Sequence, residues 1–421
     1  MSGGPWVAVA PLPEPDLRRV RSAMIFDHHK WDPQVADTSV LCPFPLVLRA
    51  SHWRAIARWA GDLTREALAA ERELLAAGRP WRELALPRSV RRALPRGCDP
   101  QRVPAGPRLM RFDFHFTSAG WRISECNSDV PGGFIEASAF PRLMARHVPW
   151  AAPAGDPAGA LAEGVAERVP RGGRVALVHA TAYTDDRQVM VCLAEALEKR
   201  GLVPALVAPD HLDWIGGAAR VAAAGGWEPA DLVLRFFPAE WLPNLPRRCG
   251  WEHFFRDSIT PQCNPGAAIL IQTKRFPLVW PRLATRLPTW AQLLPPTRDP
   301  RAPECAGDTH WVLKPALGRV GEMIGLRGVI PDRDWHAIAR LARRWPRAWV
   351  AQEPFTVVPI GTARGRLYPC LGVYTLDGTA IGAYGRLAER PLIDQNAFEA
   401  AVLVAPDDAR DGAVRSPDEG G

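Results

Sequence analysis

An alternation of aromatic and polar residues in RFDFHFTSAGWRISECNSD, residues 111–129, constrains the fold of this chain more than any other stretch. Phenylalanines at 112, 114 and 116 occupy every second position, and charged residues fill the positions between them. Because side chains alternate between the two faces of a strand, this pattern predicts a β-hairpin with one apolar and one polar face. The polar face then gathers several charged side chains in one place.

The turn of this hairpin determines which polar residues face each other. Gly120, at the end of S-A-G, suits a three-residue loop whose last position is left-handed and favours glycine. The resulting pairs are Thr117 with Trp121, His115 with Ile123, Asp113 with Glu125, and Arg111 with Asn127.

Asp113, Glu125 and Asn127 supply hard oxygen donors that suit a divalent cation. Adjacent carboxylates repel each other unless positive charge separates them. Mg²⁺ accepts few protein oxygens when water and phosphate complete its coordination shell. The pattern therefore indicates a Mg²⁺ site, and a solvated polar hairpin is the alternative that the hairpin alone leaves open.

Lysine is scarce in this chain, which draws attention to the few that are present. Of the 52 basic residues only four are lysine: Lys30, Lys199, Lys274 and Lys314. Arginine serves as the cation elsewhere, so a retained lysine is a candidate for a site that needs a compact ammonium group. Lys199, near the end of a predicted helix, fits chance retention instead.

Lys314 lies in WVLKPALGRVGEMIGL, where a glycine-containing loop joins two apolar segments. Backbone amides near Gly318 and Gly321 can approach phosphate oxygens closely, and the lysine adds a point charge. Lys274, in NPGAAILIQTKRF, precedes Lys314 by forty residues. VAQEPF ends a strand with Gln352–Glu353, which suits a hinge that faces an adenine.

Strands and helices alternate between residues 174 and 237, which predicts a small Rossmann-like parallel sheet. No G-x-G-x-x-G follows its first strand, RVALVH, which argues against a dinucleotide site there. An amphipathic pattern over 53–77 predicts a packing helix. In the second half, strands are predicted near 311–315, 323–327, 348–353, 370–375 and 380–385, with a hairpin turn at LDGT.

These patterns favour an α/β (α+β) fold in several parts. The predicted parts are residues 1–155 with the packing helix and the polar hairpin, 156–262 as a Rossmann-like substrate subdomain, 263–405 as the nucleotide-binding region, and 406–421 as a disordered tail.

Composition limits the classes of partner. The net charge of +7 is spread over mixed-sign segments, which argues against a nucleic-acid partner. No apolar run reaches the ~18 residues of a membrane span, and MSGGPWVAVAPLPEP lacks the pattern of a signal peptide. The eight cysteines are scattered without a C-x-x-C pair, which argues against a zinc site and for a cytoplasmic location.

Five motifs occur in a recognisable order: RFDFH…ISECNSD, NP…TKRF, WVLKPALGRVGEMI, QEPF and GAYGRL…LIDQ. Over about residues 25–405 the chain resembles the synthetase module of glutathionylspermidine synthases and their stand-alone relatives. Those proteins are ATP-grasp carbon–nitrogen ligases, in which a metal-binding hairpin precedes the nucleotide lysines.

The resemblance implies a role for each candidate residue and ATP and Mg²⁺ as cofactors. Mg²⁺ would be held by three oxygen-bearing residues, Asp113, Glu125 and Asn127. Two arginines would act at the transferred phosphate, Arg111 and Arg386. The phosphates of ATP would be bound by Lys274, Lys314 and the closing loop 316–321, which contains Gly318 and Gly321. The adenine would be flanked by Gln352 and Glu353.

The chain departs from the family in two respects. The amidase domain of some members does not accompany the module, so hydrolysis of the amide product is not expected. After the hairpin the chain reads SDVPGG, without the hydroxyl pair expected in glutathione-binding members. Glutathione is therefore not assigned as the acid.

The resulting hypothesis is an ATP- and Mg²⁺-dependent amide ligase. It would phosphorylate a small carboxylate, peptide-like or amino-acid-like, and an amine would attack the acyl phosphate. Backbone amides of P-G-G at 131–133 would receive the carboxylate. Asp185, Asp186 and Glu240 are candidates for the amine, with solvated or capping roles as the alternative. A small-molecule kinase and a non-catalytic nucleotide-binding protein remain alternatives, and the oligomeric state is left open.

Overall fold

The computed structural model describes residues 4–35, 38–77, 82–95, 106–305, 308–318, 321–362 and 365–410. Within these ranges the chain is a mixed α/β protein with several sheets, including an all-parallel one. None of the described helices is both long and apolar enough to span a membrane.

The polar hairpin, formed by Leu109–Thr117 and Gly120–Asn127, belongs to a larger antiparallel sheet that we call the central sheet. Its first strand pairs with Gly365–Leu376, which turns back into Thr379–Ala388. Phe398–Ala400 lies along the far edge. One sheet therefore combines strands from the predicted N-terminal region and from the predicted nucleotide-binding region.

The turn at LDGT confirms the second predicted hairpin. Asp377 and Gly378 form a two-residue loop in which both residues have positive φ, 51° and 85°. Such a loop matches the twist of the flanking strands, and glycine adopts the second position without strain.

A long helix, Ala50–Ala76, covers the apolar face of the central sheet. Its buried residues recur at helical spacing and include Ile56, Ala60, Leu63, Ala67, Ala70 and Leu74. On the sheet side, Phe112 and Phe114 are fully buried, each contributing roughly 1.5–3 kcal/mol. The predicted alternation is confirmed, and it leaves the polar residues on the opposite face.

The start of this helix is capped by a residue from the other end of the chain. Asp407 Oδ1 accepts a hydrogen bond from the Ser51 N–H at 2.8 Å, and Oδ2 accepts one from Arg54 at 3.2 Å. Of the tail predicted as disordered, residues 411–421 lie outside the described residues.

The all-parallel sheet lies in the predicted Rossmann-like segment. Its strands occur in the order Gln262–Cys263, Leu232–Arg235, Arg174–Val178 and Val203–Val207. Helix Thr184–Glu198 connects the last two of these strands, and helix Pro157–Ala166 packs against it. The predicted strand–helix alternation is confirmed as a parallel sheet.

Shorter elements complete the described fold. The remaining strands are Trp6–Val7, Gln34–Val35, Thr38–Ser39, Leu46–Arg49, Ala152–Pro153, Leu212–Ile215, Ala218–Ala223, Gly226–Pro229, Thr297–Arg298, Val312–Pro315, Trp349–Gln352, Ile360–Thr362 and Val402–Ala405. The remaining α-helices are Glu14–Phe26, Arg88–Ala93, Phe134–Ala145, Ile269–Gln272, Pro288–Leu293 and Asp332–Arg344.

The predicted three-residue loop of the polar hairpin is wrong. Thr117 pairs with Gly120, which leaves a two-residue loop, and His115 faces Arg122 instead of Ile123. The Thr117 hydroxyl stabilises the tighter turn, because its Oγ1 accepts a hydrogen bond from the Ala119 N–H at 3.2 Å.

A β-bulge then restores the predicted register nearer the open end of the hairpin. Ser124 and Glu125 together lie opposite Asp113, so the strand gains one residue. Beyond the bulge, Arg111 pairs with Asn127 as predicted.

The predicted strand at 323–327 is also wrong. Only two isolated bridges form among the described residues there, Leu313 with Gly325 and Arg327 with Ile330. Met323 has a positive φ of 55°, a left-handed conformation that interrupts an extended strand.

A buried ion pair joins the parallel sheet to the segment after the polar hairpin. Arg235 donates to the carboxylate of Asp129, and both side chains are fully buried. We expect Arg235→Met to lower the free energy of unfolding by about 3–5 kcal/mol in urea denaturation, because it leaves a buried charge unpaired. Adding Asp129→Asn removes that charge and recovers part of the loss. A single variant as stable as the wild type would contradict this expectation.

Candidate active site

The polar face of the hairpin forms one wall of a cleft beside the strands Val312–Pro315 and Trp349–Gln352. The cleft contains about 800 Å³ of space free of protein atoms, its open mouth included. The charged lining residues are Asp113, Glu125, Lys314, Glu353 and Arg386. The apolar ones include Val312, Ile324, Leu326, Phe355, Val357, Tyr368, Leu392 and Ile393.

Asp113 is buried between two arginine side chains. Arg111 Nε donates to Oδ1 at 2.9 Å, and an Arg386 amino group donates to Oδ2 at 2.6 Å. Burial alone would raise the pKa of Asp113, but the two guanidinium groups outweigh it and hold that pKa well below its usual value. The carboxylate is therefore ionised at neutral pH.

Glu125 and Asn127 lie next to Asp113 on the second strand of the hairpin. Asn127 Nδ2 is 3.5 Å from Asp113 Oδ2, and Glu125 Oε2 is 3.0 Å from Lys274 Nζ. Lys274 also donates to the Gly318 carbonyl at 2.7 Å. The three residues predicted to bind metal thus lie together, and one of them pairs with a predicted phosphate lysine.

Lys314 approaches the hairpin from the neighbouring sheet. Its Nζ donates to Gln352 Oε1 at 2.6 Å and to the Ser124 carbonyl at 3.3 Å. Gln352 Nε2 donates in turn to Thr297 Oγ1 at 3.1 Å, so the amide of Gln352 orients the lysine. Burial lowers the pKa of Lys314 to about 8, and the Lys274 charge acts in the same direction.

Gly321 and Glu353 border the same cleft. Gly321 has a φ of 69°, and a Cβ there would lie 2.2 Å from the Ile393 carbonyl oxygen, so only glycine fits. Glu353 is exposed, and its backbone N–H donates to the Pro296 carbonyl at 2.9 Å. The residues predicted for the metal and the nucleotide that line this cleft are Asp113, Glu125, Lys314, Gly321, Gln352, Glu353 and Arg386. Arg111, Asn127 and Lys274 contact residues that line it, and Gly318 contacts Lys274.

The donor set fits Mg²⁺ in the company of phosphate. Nowhere in the described ranges do three or more His, Cys, Asp or Glu side chains cluster as metal ligands. The donors here are two carboxylates and one amide, a set that Mg²⁺ accepts when water and phosphate supply the other positions. Arg386 Nε is buried and has no acceptor among the described residues, as expected where a phosphate would bind.

The apolar lining is absent from the predicted site residues. Phe355 follows Glu353 by two residues in Q-E-P-F, and this proximity is the signal that could have identified it. Ile324 ends the motif WVLKPALGRVGEMI and Tyr368 lies outside the five motifs, so only the folded chain places them together.

His115 lies on the polar face but carries no charge at neutral pH. Its Nε2 is 3.1 Å from Ser124 Oγ, and its ring packs against Phe355 with centroids 5.3 Å apart. Burial lowers the pKa of His115 to about 4, and the Arg386 and Lys314 charges contribute. His115 therefore adds a neutral ring to the cleft.

Lys30 belongs to a second buried cluster, which lies outside the sites predicted from the sequence. Its Nζ contacts Glu136 Oε1 at 2.5 Å, Asp32 Oδ1 at 2.9 Å and Glu399 Oε2 at 3.0 Å. Burial, with the nearby Glu136 charge, raises the pKa of Glu399 to about 8. The Tyr384 hydroxyl, 3.2 Å from Glu399 Oε1, connects this cluster to the cleft.

The Tyr384 ring lies between the Lys30 cluster and the two arginines that contact Asp113. The guanidinium carbons of Arg111 and Arg386 lie 5.7 and 5.5 Å from its ring centroid. Glu399 lies directly opposite Arg386 on the neighbouring strand. The acidic cluster is therefore adjacent to the arginines around Asp113.

The P-G-G segment, residues 131–133, packs against Arg111. The Gly132 carbonyl accepts hydrogen bonds from Arg111 at 2.8 Å and from the Tyr374 hydroxyl. Gly133 precedes helix Phe134–Ala145 with a φ of 91°, and a Cβ there would lie 2.8 Å from the Tyr384 ring. Aromatic rings thus occupy the space that side chains at this segment would need.

Comparisons with curated proteins and solved structures bear on the fold of this chain. No curated protein matches it. A glutathione synthetase-like effector, GSS30, from Globodera pallida is 12% identical with a TM-score of 0.64, over 94% of this chain and 98% of that chain. A protein from Methylobacillus flagellatus KT described as a gamma-glutamylcysteine synthetase is 14% identical with a TM-score of 0.41, over 80% and 88%. The first likeness supports the fold.

The family itself is shown by a match along most of the sequence. The model described as glutathionylspermidine synthase preATP-grasp matches residues 44–402, and so the chain belongs to that family.

Proposed function

We propose that this chain is an ATP- and Mg²⁺-dependent ATP-grasp ligase that joins a small carboxylate to an amine through an acyl phosphate. The observation that carries the proposal is the convergence of opposite charges in one cleft. The hairpin contributes Asp113 and Glu125, and later segments of the chain contribute Arg386 and two lysines to the same place. Membership of a synthetase family supports the same reaction class.

The side chains divide the work between charge neutralisation and positioning. Lys274 and Lys314 would neutralise phosphate oxygens of ATP, and Arg386 would direct its unpaired Nε to the transferred group. Asp113, Glu125 and Asn127 would hold Mg²⁺, which when bound neutralises further phosphate charge. Phosphoryl transfer needs such positioning more than covalent help from the protein.

The apolar part of the cleft would hold the nucleotide base. Phe355, Tyr368 and Ile324 offer flat or branched apolar surfaces beside the polar hinge at Gln352–Glu353. A mostly apolar pocket with a few polar groups is typical of sites for small molecules.

The two substrates would bind on either side of Tyr384. The carboxylate would bind at the P-G-G segment, near the positive charge of Arg111, which contacts the Gly132 carbonyl. The amine would bind towards Lys30 and Glu399, because three carboxyl groups there surround a single ammonium group. A cationic amine is favoured by that excess of negative charge.

The experiment incubates the full chain with Mg-ATP and pools of small acids and amines. We expect ADP to appear only when both an acid and an amine are present, with a condensation product in the mass spectrum. ADP formation with an acid or alcohol alone would favour a kinase. No nucleotide binding and no turnover in any pool would contradict the proposal.

A further inference from the structure

One glutamine side chain joins two segments of the candidate site. Gln272 Oε1 accepts hydrogen bonds from the backbone N–H groups of Ser128 at 2.8 Å and of Asp129 at 3.0 Å. Both partners are donors, so the atom that faces them is the carbonyl oxygen of the amide. The end of the polar hairpin is thereby attached to the short helix Ile269–Gln272.

The Ser128–Asp129 segment is anchored on its other sides as well. Ser128 Oγ donates to the Ala268 carbonyl at 3.0 Å, and Asp129 pairs with the buried Arg235. The Ala239 N–H donates to Asp129 Oδ2 at 2.9 Å. Since these contacts fix the segment, the hydrogen bonds of Gln272 fix the residues after Gln272 relative to the hairpin.

Each of the two joined segments carries a residue of the proposed site. Asn127, proposed to bind Mg²⁺, immediately precedes Ser128, and Lys274, proposed to bind phosphate, follows Gln272 by two residues. A triphosphate that contacts Mg²⁺ and Lys274 at the same time requires a fixed separation between them.

We propose that Gln272 is a positioning residue that couples Mg²⁺ binding to ATP binding by fixing Asn127 relative to Lys274. The proposal rests on the proposed function, which assigns the two ligands to these residues. Coupling is reciprocal, so the factor by which Mg²⁺ strengthens ATP binding measures it directly. Loss of the two hydrogen bonds reduces this factor, whereas a general loss of stability does not selectively change it.

The test measures calorimetrically how tightly the full chain binds a non-hydrolysable ATP analogue, with Mg²⁺ and with a chelator. We expect Gln272→Leu to reduce the strengthening by Mg²⁺ about tenfold. Gln272→Asn, whose shorter side chain does not reach both N–H groups, has the same effect and carries the test if the leucine variant does not fold. Gln272→Glu keeps an acceptor oxygen and retains the strengthening within about threefold.

Gln262→Leu is the matched control. Gln262 is a buried glutamine that donates to the His253 carbonyl at 2.8 Å and does not line the cleft. Unchanged strengthening in both Gln272→Leu and Gln272→Asn overturns the positioning proposal and leaves the proposed function standing. An equal loss of the strengthening by Mg²⁺ in Gln272→Glu or in Gln262→Leu also overturns the positioning proposal and leaves the proposed function standing. A wild-type chain that does not bind the analogue with Mg²⁺ overturns both.

Discussion

Replacing Asp113 by asparagine is expected to lower the rate of ADP formation about 1,000-fold. The substitution keeps the size of the side chain and removes its charge, which Arg111 and Arg386 share in this structure. In the proposed function the Asp113 carboxylate also holds Mg²⁺. The variant would therefore lose the position of the metal and the position of the two arginines at once. The measurement is a steady-state ADP assay with the acid and amine identified by mass spectrometry.

A loss of stability must be separated from this loss of activity. Without the Asp113 carboxylate, two buried guanidinium groups lack their shared counter-charge, which costs about 3–5 kcal/mol in the free energy of unfolding. Glu71→Gln is a matched control, because Glu71 is also buried and pairs with Arg108 at 2.6 Å outside the cleft. If Asp113→Asn loses no more activity than Glu71→Gln, Asp113 has no catalytic role.

Local patterns in the sequence were sufficient to predict the polar hairpin and the parallel sheet. Alternating phenylalanines predict which face of the hairpin is buried, because strand geometry has a period of two. The bulge at Ser124–Glu125 was not predictable, since the alternation of apolar and polar residues is compatible with a strand that has one extra residue and with one that does not. The closing hydrogen bond of Thr117 decided the loop length.

The sequence alone does not predict which strands pair when they lie far apart along the chain. The hairpin lies beside Gly365–Leu376 in the central sheet, and more than 230 residues separate these strands. No turn or short connection encodes that contact, so a single sequence gives no register for it. The same limitation hid the partners of Lys30, since Glu136 and Glu399 lie far away along the chain.

The candidate site was predicted where one residue type was informative by itself. Scarcity of lysine drew attention to Lys274 and Lys314, and both contact the hairpin in the structure. The apolar residues of the cleft are ordinary in type, and their role depends on position alone. Their assignment therefore required coordinates.

ATP binding is expected to weaken about tenfold per pH unit above pH 8, because Lys314 loses its proton there. Burial lowers the pKa of Lys314 from its ordinary value of 10.5 to about 8. Below pH 8 the ammonium form is present and attracts phosphate, whereas above pH 8 the free chain is mostly neutral at this position. Binding a polyanion favours the ammonium form, so the complex must take up a proton in this range.

Calorimetry of the ATP analogue between pH 7 and pH 9.5, in buffers of different ionisation enthalpy, measures both the affinity and the proton uptake. Lys314→Arg keeps a positive charge throughout this range, because guanidinium does not deprotonate in proteins. The variant is expected to bind with an affinity that does not change between pH 7 and pH 9.5, whatever its absolute value. Lys314→Met is expected to bind about 100-fold more weakly at pH 7, since it lacks the charge at every pH. An equal pH dependence in the wild type and in Lys314→Arg would assign the proton to another group and remove Lys314 from the phosphate site.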